Sequence, residues 1–453
     1  MPCSSIMPYR FCLARLEENS VVQMQIDYAM EMDQLDELKD YREEFIFPDK
    51  LRAPDGRSCV YLAGNSLGLQ PRSTRRMILE ELEDWGDYGV EGHFHARRPW
   101  LPYHEFVTAY SARLVGALPS EVVVMNSLTV NLHLMMISFY RPTSDRYQII
   151  CEKGAFPSDQ YAVASQAALH GLNPADTVIE LAPRAGEDTL RPDDIIEAIQ
   201  KSGARLALVM LGNVNYLTGQ AFDMAAISRA AHAVGALAGF NLAHGAGNLH
   251  LHLHQDEVDF AVWCSYKYLN AGPGGIAGCF VHERHANSFD LPRLAGWWGH
   301  DKVDRFKMEP DFRPMTGAEG WQLSNPPIFQ LAALKASLEL FDRAGMAALR
   351  AKGDALTGYM EHLLTVDLHE DGRVAPDFLS IITPADKNQR GSQLSIRFKG
   401  DGKKLLQAFK QEGVVCDFRE PDIIRATPAP MYCSFQDVHR FYEVVKKFAQ
   451  AEK

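Results

Sequence analysis

The sequence predicts an α/β fold, a mostly parallel sheet between helices followed by a smaller α+β lobe. Three observations predict it. Between residues 121 and 281, short apolar runs rich in β-branched residues alternate with helical segments, the order that parallel strands with right-handed crossovers require. Polar clusters recur where these runs end, and ligands sit at the C-terminal strand ends of such sheets. After Ala347 the pattern changes to helix, strand, helix and paired strands. The chain has 453 residues, too many for one simple core.

Residues 20–47 predict a helical arm, with the clearer amphipathic spacing over Asp33–Phe45. Pro48 to Arg57 reads as a linker. Val60–Ala63 is a short strand, followed by the loop Gly64–Pro71, and Ser73–Tyr88 is a helix. Glu121–Asn126 is a strand leading through Ser127, Leu128 and Thr129 into an apolar helix. Arg146–Glu152 is a strand ending near Phe156-Pro157-Ser158-Asp159. Leu206–Leu211 ends at Gly212, and Leu237–Phe240 ends at Asn241 and His244. Between these two lies the helix Asp223–Val234, with Asp223 as its N-cap. Val258–Cys264 and Ile276–Val281 are neighbouring strands. Ile328–Arg343, Ala347–Leu364, Lys403–Glu412 and Phe435–Ala449 are helices, and Gln393–Phe398, Val414–Phe418 and Asp422–Ala426 supply strands.

The composition, 46% hydrophobic and 23% charged, is that of an ordinary globular chain. A net charge of -12 disfavours nucleic-acid and anionic-membrane partners. No apolar run approaches membrane-spanning length, and no secretory leader is expected, since Glu17 and Glu18 follow a first segment without an apolar centre. Eight scattered cysteines without a C-x-x-C pair predict free thiols in a reducing cytoplasm rather than disulfides or zinc.

The stretch with most chemistry is Val258–Val281. Lys267 follows an apolar strand almost at once, and a Gly/Pro cluster, Gly272–Gly275, closes the turn. A lysine at such a rim loses hydration, which disfavours its charged form and frees the amine as a Schiff-base nucleophile. A surface lysine at a strand end is the other reading of this stretch. Ser127 and Thr129 at a helix start suit a phosphate, or cap the helix. His93 and His95, with Arg97, Arg98 and Trp100, fit an aromatic or anionic ligand or a domain contact; they lack partners at a metal-ligand spacing.

Taken together, GNSLGLQP (64–71), GHFHARRPW (92–100), SLTVNLH (127–133), AFPSDQYA (155–162), GFNLAHGAGN (239–248), WCSYKYLNAGPGGIAG (263–278), GWWGH (296–300) and SNPPI (324–328) resemble the kynureninase family. The resemblance runs in order from about Tyr61 to the last helix. It implies the pyridoxal 5'-phosphate (PLP) fold type I, with a seven-stranded, mostly parallel sheet in a large domain (60–327), a small α+β domain (328–453) and an N-terminal segment (1–59). It implies that Lys267 carries PLP and that Leu128, Thr129, Tyr266 and Trp297 reach its phosphate. Phe156 would stack on the ring, with Pro157, Ser158, Asp159, Gly212, Asn241, His244 and Asn325 around the cofactor. Ser66, His93 and Asn325 would meet the aromatic end of the substrate, and Arg425 its α-carboxylate. The implied reaction cleaves kynurenine or 3-hydroxykynurenine to anthranilate or 3-hydroxyanthranilate and alanine, in tryptophan catabolism and NAD biosynthesis. A cytoplasmic homodimer with interfacial active sites goes with it.

Two positions depart from the family pattern. Asn241 stands where an aspartate usually pairs with the pyridine nitrogen, and Gly212 where many relatives carry a phosphate-binding Ser or Thr. With Asn241, an enzyme of the same fold acting on another β-acyl amino acid, or a cofactor-binding pseudoenzyme, remains an alternative.

Overall fold

The computed structural model describes residues 18–370 and 372–451. Its centre is a seven-stranded sheet in the order Val122–Val124, Gly278–Val281, Phe260–Trp263, Leu237–Asn241, Leu206–Gly212, Gln148–Glu152, Val178–Leu181. Six strands run one way; Gly278–Val281 is antiparallel to both of its neighbours. The edge strand Val178–Leu181 carries only half-buried and exposed side chains, so it lacks the apolar run that marks the other six.

Period-2 alternation divides the strand residues between two cores. Val123, Met210, Phe260, Val262 and Cys279 pack on one face with the helices Leu128–Phe139 and Pro157–Leu169. Val122, Val124, Leu211, Phe240, Ala261, Trp263 and Phe280 face the other way, toward Glu105–Val115, Pro192–Ser202 and Met224–Ala233. Helices on both faces explain why these strands are apolar throughout.

The C-terminal lobe has a four-stranded antiparallel sheet in the order Leu379–Ile381, Leu394–Phe398, Ile423–Ala426, Asp417–Arg419. The N-terminal segment joins it. Val60–Tyr61 pairs with Val414–Val415, and Asp33 accepts from the Phe435 and Gln436 N–H groups at 2.7 and 3.1 Å. The arm is not one helix through Phe45. Glu18–Leu35 ends where Asp36 Oδ1 accepts from Leu38 N–H at 2.9 Å, a local side-chain bond that competes with the helical one. A 3₁₀ turn, Lys39–Glu44, and the short strand Phe45–Ile46 follow. The helix Ile328–Ala344 packs on Arg72–Tyr88 and Glu105–Val115.

Candidate active site

Six parallel strand ends open on one edge of the sheet, and a pocket lies there. Its walls come from the segments after five parallel strands: Leu128 and Thr129; Glu152 to Asp159; Gly212 to Tyr216; Asn241 to His244; Tyr266 and Lys267. The empty space, mouth included, is about 610 Å³.

Lys267 Nζ lies 3.0 Å from His244 Nε2, with the Phe156 ring centroid 5.8 Å away. Burial pushes the Lys267 amine below its ordinary pKa, the Arg425 and Arg419 cations add to this, and Cys264 and Asp159 oppose it. His244 is held well below its ordinary value, first by burial and then by the cations of Lys267, Arg425 and Arg419. A neutral imidazole therefore faces the amine. His244 Nδ1 is buried without a hydrogen-bond partner among the described residues. The turn that presents Lys267 is pinned by the loop after Val60–Tyr61, where Gly68 N–H donates to the Tyr266 carbonyl at 2.9 Å. A Cβ on Gly68 would lie 2.4 Å from the Lys267 carbonyl oxygen, so only glycine permits this approach.

At one end of the pocket two helices begin together. Thr129 Oγ1 and Ser158 Oγ are 2.9 Å apart, in the first turns of Leu128–Phe139 and Pro157–Leu169. Ser127 makes no side-chain capping bond. The left-handed Asn126 (φ 50°) turns the chain from strand to helix. Hydroxyls and first-turn N–H groups thus converge where the dipoles of both helices favour an anion. Gly212 lines the same pocket, and a Cβ there would make only ordinary contacts, 3.4 Å to Val214 O.

At the Asp159 side, Asn241 Nδ2 donates to Asp159 Oδ1 and Oδ2 at 2.9 and 2.8 Å. Its own Oδ1 accepts from Ala243 N–H at 2.9 Å, which fixes the amide orientation. Burial pushes the Asp159 carboxyl up to about 6, against the opposing pull of Asn241 and Lys267. Glu152, the last residue of Gln148–Glu152 and not among the expected site residues, accepts from Asn215 Nδ2 at 2.6 Å and is pushed up to about 7 by burial. The signal available in the sequence was a carboxylate closing an apolar strand.

Arg425 is 1% exposed. Nε donates to Asp417 Oδ1 and Nη1 to the Tyr216 carbonyl, both at 2.6 Å. Nη2 donates to Ser66 Oγ at 3.2 Å and to Asp417 Oδ2. Ser66 Oγ donates to Asp417 Oδ2 at 2.7 Å. Tyr216 links this cluster to the pocket: its ring lies edge-on to Phe156, 5.4 Å between centroids.

Six expected site residues do not line the pocket: Ser66 and Arg425 adjoin it through Tyr216, Pro157 precedes the lining residue Ser158, and His93, Trp297 and Asn325 lie elsewhere. His93 Nδ1 lies 2.9 Å from the Val90 carbonyl and its ring is edge-on to Trp100. Trp297 Nε1 donates to the Arg305 carbonyl and the residue is 41% exposed. Asn325 is exposed in the turn before Ile328–Ala344. Pro157 is the first residue of its helix and orients Ser158 and Asp159.

The residues present fit PLP. A buried amine of lowered pKa, an anion site built from two helix starts and a carboxylate with its amide partner surround one pocket, and the His244 Nδ1 acceptor or donor is still unclaimed. Comparison with known proteins agrees. A solved C-DES variant with glycine linked covalently to its PLP cofactor superposes with a TM-score of 0.71 at 17% identity, over 88% of this chain and 99% of that one; the likeness shows PLP fold type I. The family model described as the kynureninase C-terminal domain matches residues 349–445. A kynureninase of Myxococcus xanthus (strain DK1622) is 63% identical over 423 residues, 93% of this chain and 97% of the relative. One of Koribacter versatilis (strain Ellin345) is 56% identical over 417 residues, 92% and 96% of the two chains. With relatives so similar over almost their whole length, the chain belongs to the kynureninase family.

Proposed function

We propose that the chain hydrolyses the Cβ–Cγ bond of kynurenine, 3-hydroxykynurenine or both, consuming water and releasing alanine and the arylcarboxylic acid, with PLP held by Lys267. The observation that carries this reading is the buried Lys267 amine facing a neutral His244 in a pocket that Thr129, Ser158 and Asp159 also line. Bound there, PLP supplies an electron sink for the pair left when the α carbon loses its proton.

The protein's own groups do the rest. Thr129, Ser158 and the first-turn N–H groups of their helices would bind the phosphate, with Leu128, Gly212 and Tyr266 shaping that end. Phe156 offers a ring face beside Lys267. Asp159, aligned by Asn241, offers a carboxylate to a protonated ring nitrogen. Because its pKa is lowered, Lys267 Nζ accepts the α proton near neutral pH more readily than an exposed lysine would. Arg425 offers the guanidinium edge that suits the substrate's α-carboxylate, and Ser66 stands beside it.

His93, Trp297 and Asn325 complete the site in this reading from a second copy of the chain. The support is their position outside the pocket, with Trp297 41% exposed, and a row of exposed apolar side chains nearby in sequence, Leu79, Leu82, Trp85 and Phe329. In the same reading the chain divides into 1–59, 60–327 and 328–453, since the seven-stranded sheet falls within the second part and the four-stranded sheet within the third. The six described cysteines are free thiols, which suits a cytoplasmic setting. Among the described residues no helix is long and apolar enough to cross a membrane.

The test is an absorbance and product assay on the PLP-loaded protein, with each substrate offered separately. A borohydride-reducible cofactor band that Lys267→Ala removes, with alanine and (3-hydroxy)anthranilate in equal amounts, is expected. A reducible link persisting in K267A would overturn the lysine assignment. A band without either product would leave the cofactor and discard the substrate.

A further inference from the structure

Arg425 is not a free cation awaiting a carboxylate. It stands directly opposite Asp417 across the antiparallel pair Asp417–Arg419 and Ile423–Ala426, and Asp417 already holds its Nε/Nη2 edge. One buried guanidinium and one carboxylate sum to zero charge. A substrate carboxylate entering such a pair would be an excess anion in a site of low polarity. A second cation alters this count. Arg419, two residues along the same strand as Asp417, donates through Nη2 to Asp417 Oδ2 at 3.3 Å. Its Nε is a buried donor with no partner among the described residues.

We propose that Arg419, Asp417 and Arg425 form one carboxylate receptor whose net charge of one positive unit is owed to Arg419. Asp417 is a positioning residue: it fixes the edge of Arg425 that faces Ser66 and Tyr216, and it shares its charge with Arg419. The substrate's α-carboxylate then brings the cluster to neutrality. The inference rests on the reading that Arg425 receives that carboxylate. Arg419 also lies near enough to act on the reacting groups, since its charge is felt at both Lys267 and His244.

The experiment uses the PLP-loaded full chain, with KM and kcat for kynurenine and a spectral titration with L-alanine, an α-amino carboxylate product. Arg419→Gln leaves the cluster neutral, and its KM and alanine dissociation constant are expected to rise about tenfold, more than kcat falls. Arg419→Lys keeps the charge and is expected to stay within about threefold of wild type on the same scale. The double variant Asp417→Asn with Arg419→Gln restores one net positive charge, so it is expected to bind alanine more tightly than R419Q alone. A double variant no better than R419Q, or an R419K as impaired as R419Q, overturns the proposal. Arg425→Gln separates the two levels: if R425Q weakens alanine binding while R419Q does not, the receptor role of Arg419 fails and Arg425 stands. If R425Q binds alanine like wild type, the carboxylate reading itself fails. Melting curves identify any variant that does not fold; if R419Q is one, R419K and the double variant are compared with wild type, and an alanine dissociation constant raised about tenfold in both overturns the proposal.

Discussion

Glu152 and Asp159 bracket a single strand-to-helix turn, and both hold their protons further up the pH scale than an exposed carboxyl does. For Glu152 the shift is from 4.5 to about 7, set by burial, opposed by the Asn215 bond and increased by Asp159. The folded state therefore binds a proton that the unfolded chain has already lost. The stabilising contribution is complete below pH 4.5 and is lost as pH rises through 7, a swing of about 3 kcal/mol. Glu152→Gln keeps an acceptor for Asn215 Nδ2 without the charge. Melting of the cofactor-free protein should show Gln above wild type at pH 8 and level with it at pH 4.5; a constant gap at both would mean that charge is not the cause. Of these two residues, Asp159 was legible from its F-P-S-D motif and Glu152 was not. A carboxylate ending a strand acquires meaning only through Asn215, 63 positions away, and no local pattern encodes that pairing.

At the scale of elements, the strand ends carry the site because the strands themselves are anchored below it. Asp259, just before Phe260–Trp263, accepts from Ala238 N–H at 2.8 Å and lies 2.8 Å from both His232 Nε2 and His285 Nε2. Burial works against its charge, yet these partners together hold the carboxyl well below the usual range. Its stabilising effect is present above the unfolded pKa and fades as pH falls through the folded one. Asp259→Ala leaves those donors unanswered at the foot of the Lys267 strand, with an expected cost of about 3 kcal/mol. The check is a lower denaturant midpoint with an unchanged cofactor spectrum in the folded fraction. The strands were readable in sequence wherever both faces are buried. Val178–Leu181, an edge strand half in solvent, was not, since neither apolar continuity nor strict alternation survives there. The arm helix was overextended for the opposite reason: amphipathic spacing ran on past Leu35, while the Asp36 side chain ended the helix locally.

For the molecule as a whole, the sequence showed which residues carry chemistry better than it showed which of them share one pocket. His93, Trp297 and Asn325 belong to motifs as distinct as that of Lys267, but one chain does not bring them to it. The proposed dimer accounts for this and can be broken. Trp85 is 58% exposed, its ring centroid 6.2 Å from that of Phe329 at the start of Ile328–Ala344. Trp85→Glu is expected to shift light scattering toward the monomer and to lower turnover and oligomer content together as protein is diluted. A monomeric W85E with full activity would place the whole site in one chain.

The reversed strand Gly278–Val281 has a consequence for how the protein is made. Val122–Val124 sits at the sheet edge with that strand as its one neighbour, roughly 150 residues further along the chain, so their pairing is among the most non-local in the fold. A ribosome that has delivered the other parallel strands, Lys267 included, has still not delivered the partner that docks the Thr129 turn. The Thr129 turn therefore docks only after the other parallel strands have been made. Nascent chains stopped short of Val281 should bury Lys267 yet fail to retain PLP, and cofactor capture becomes a marker that the sheet is complete.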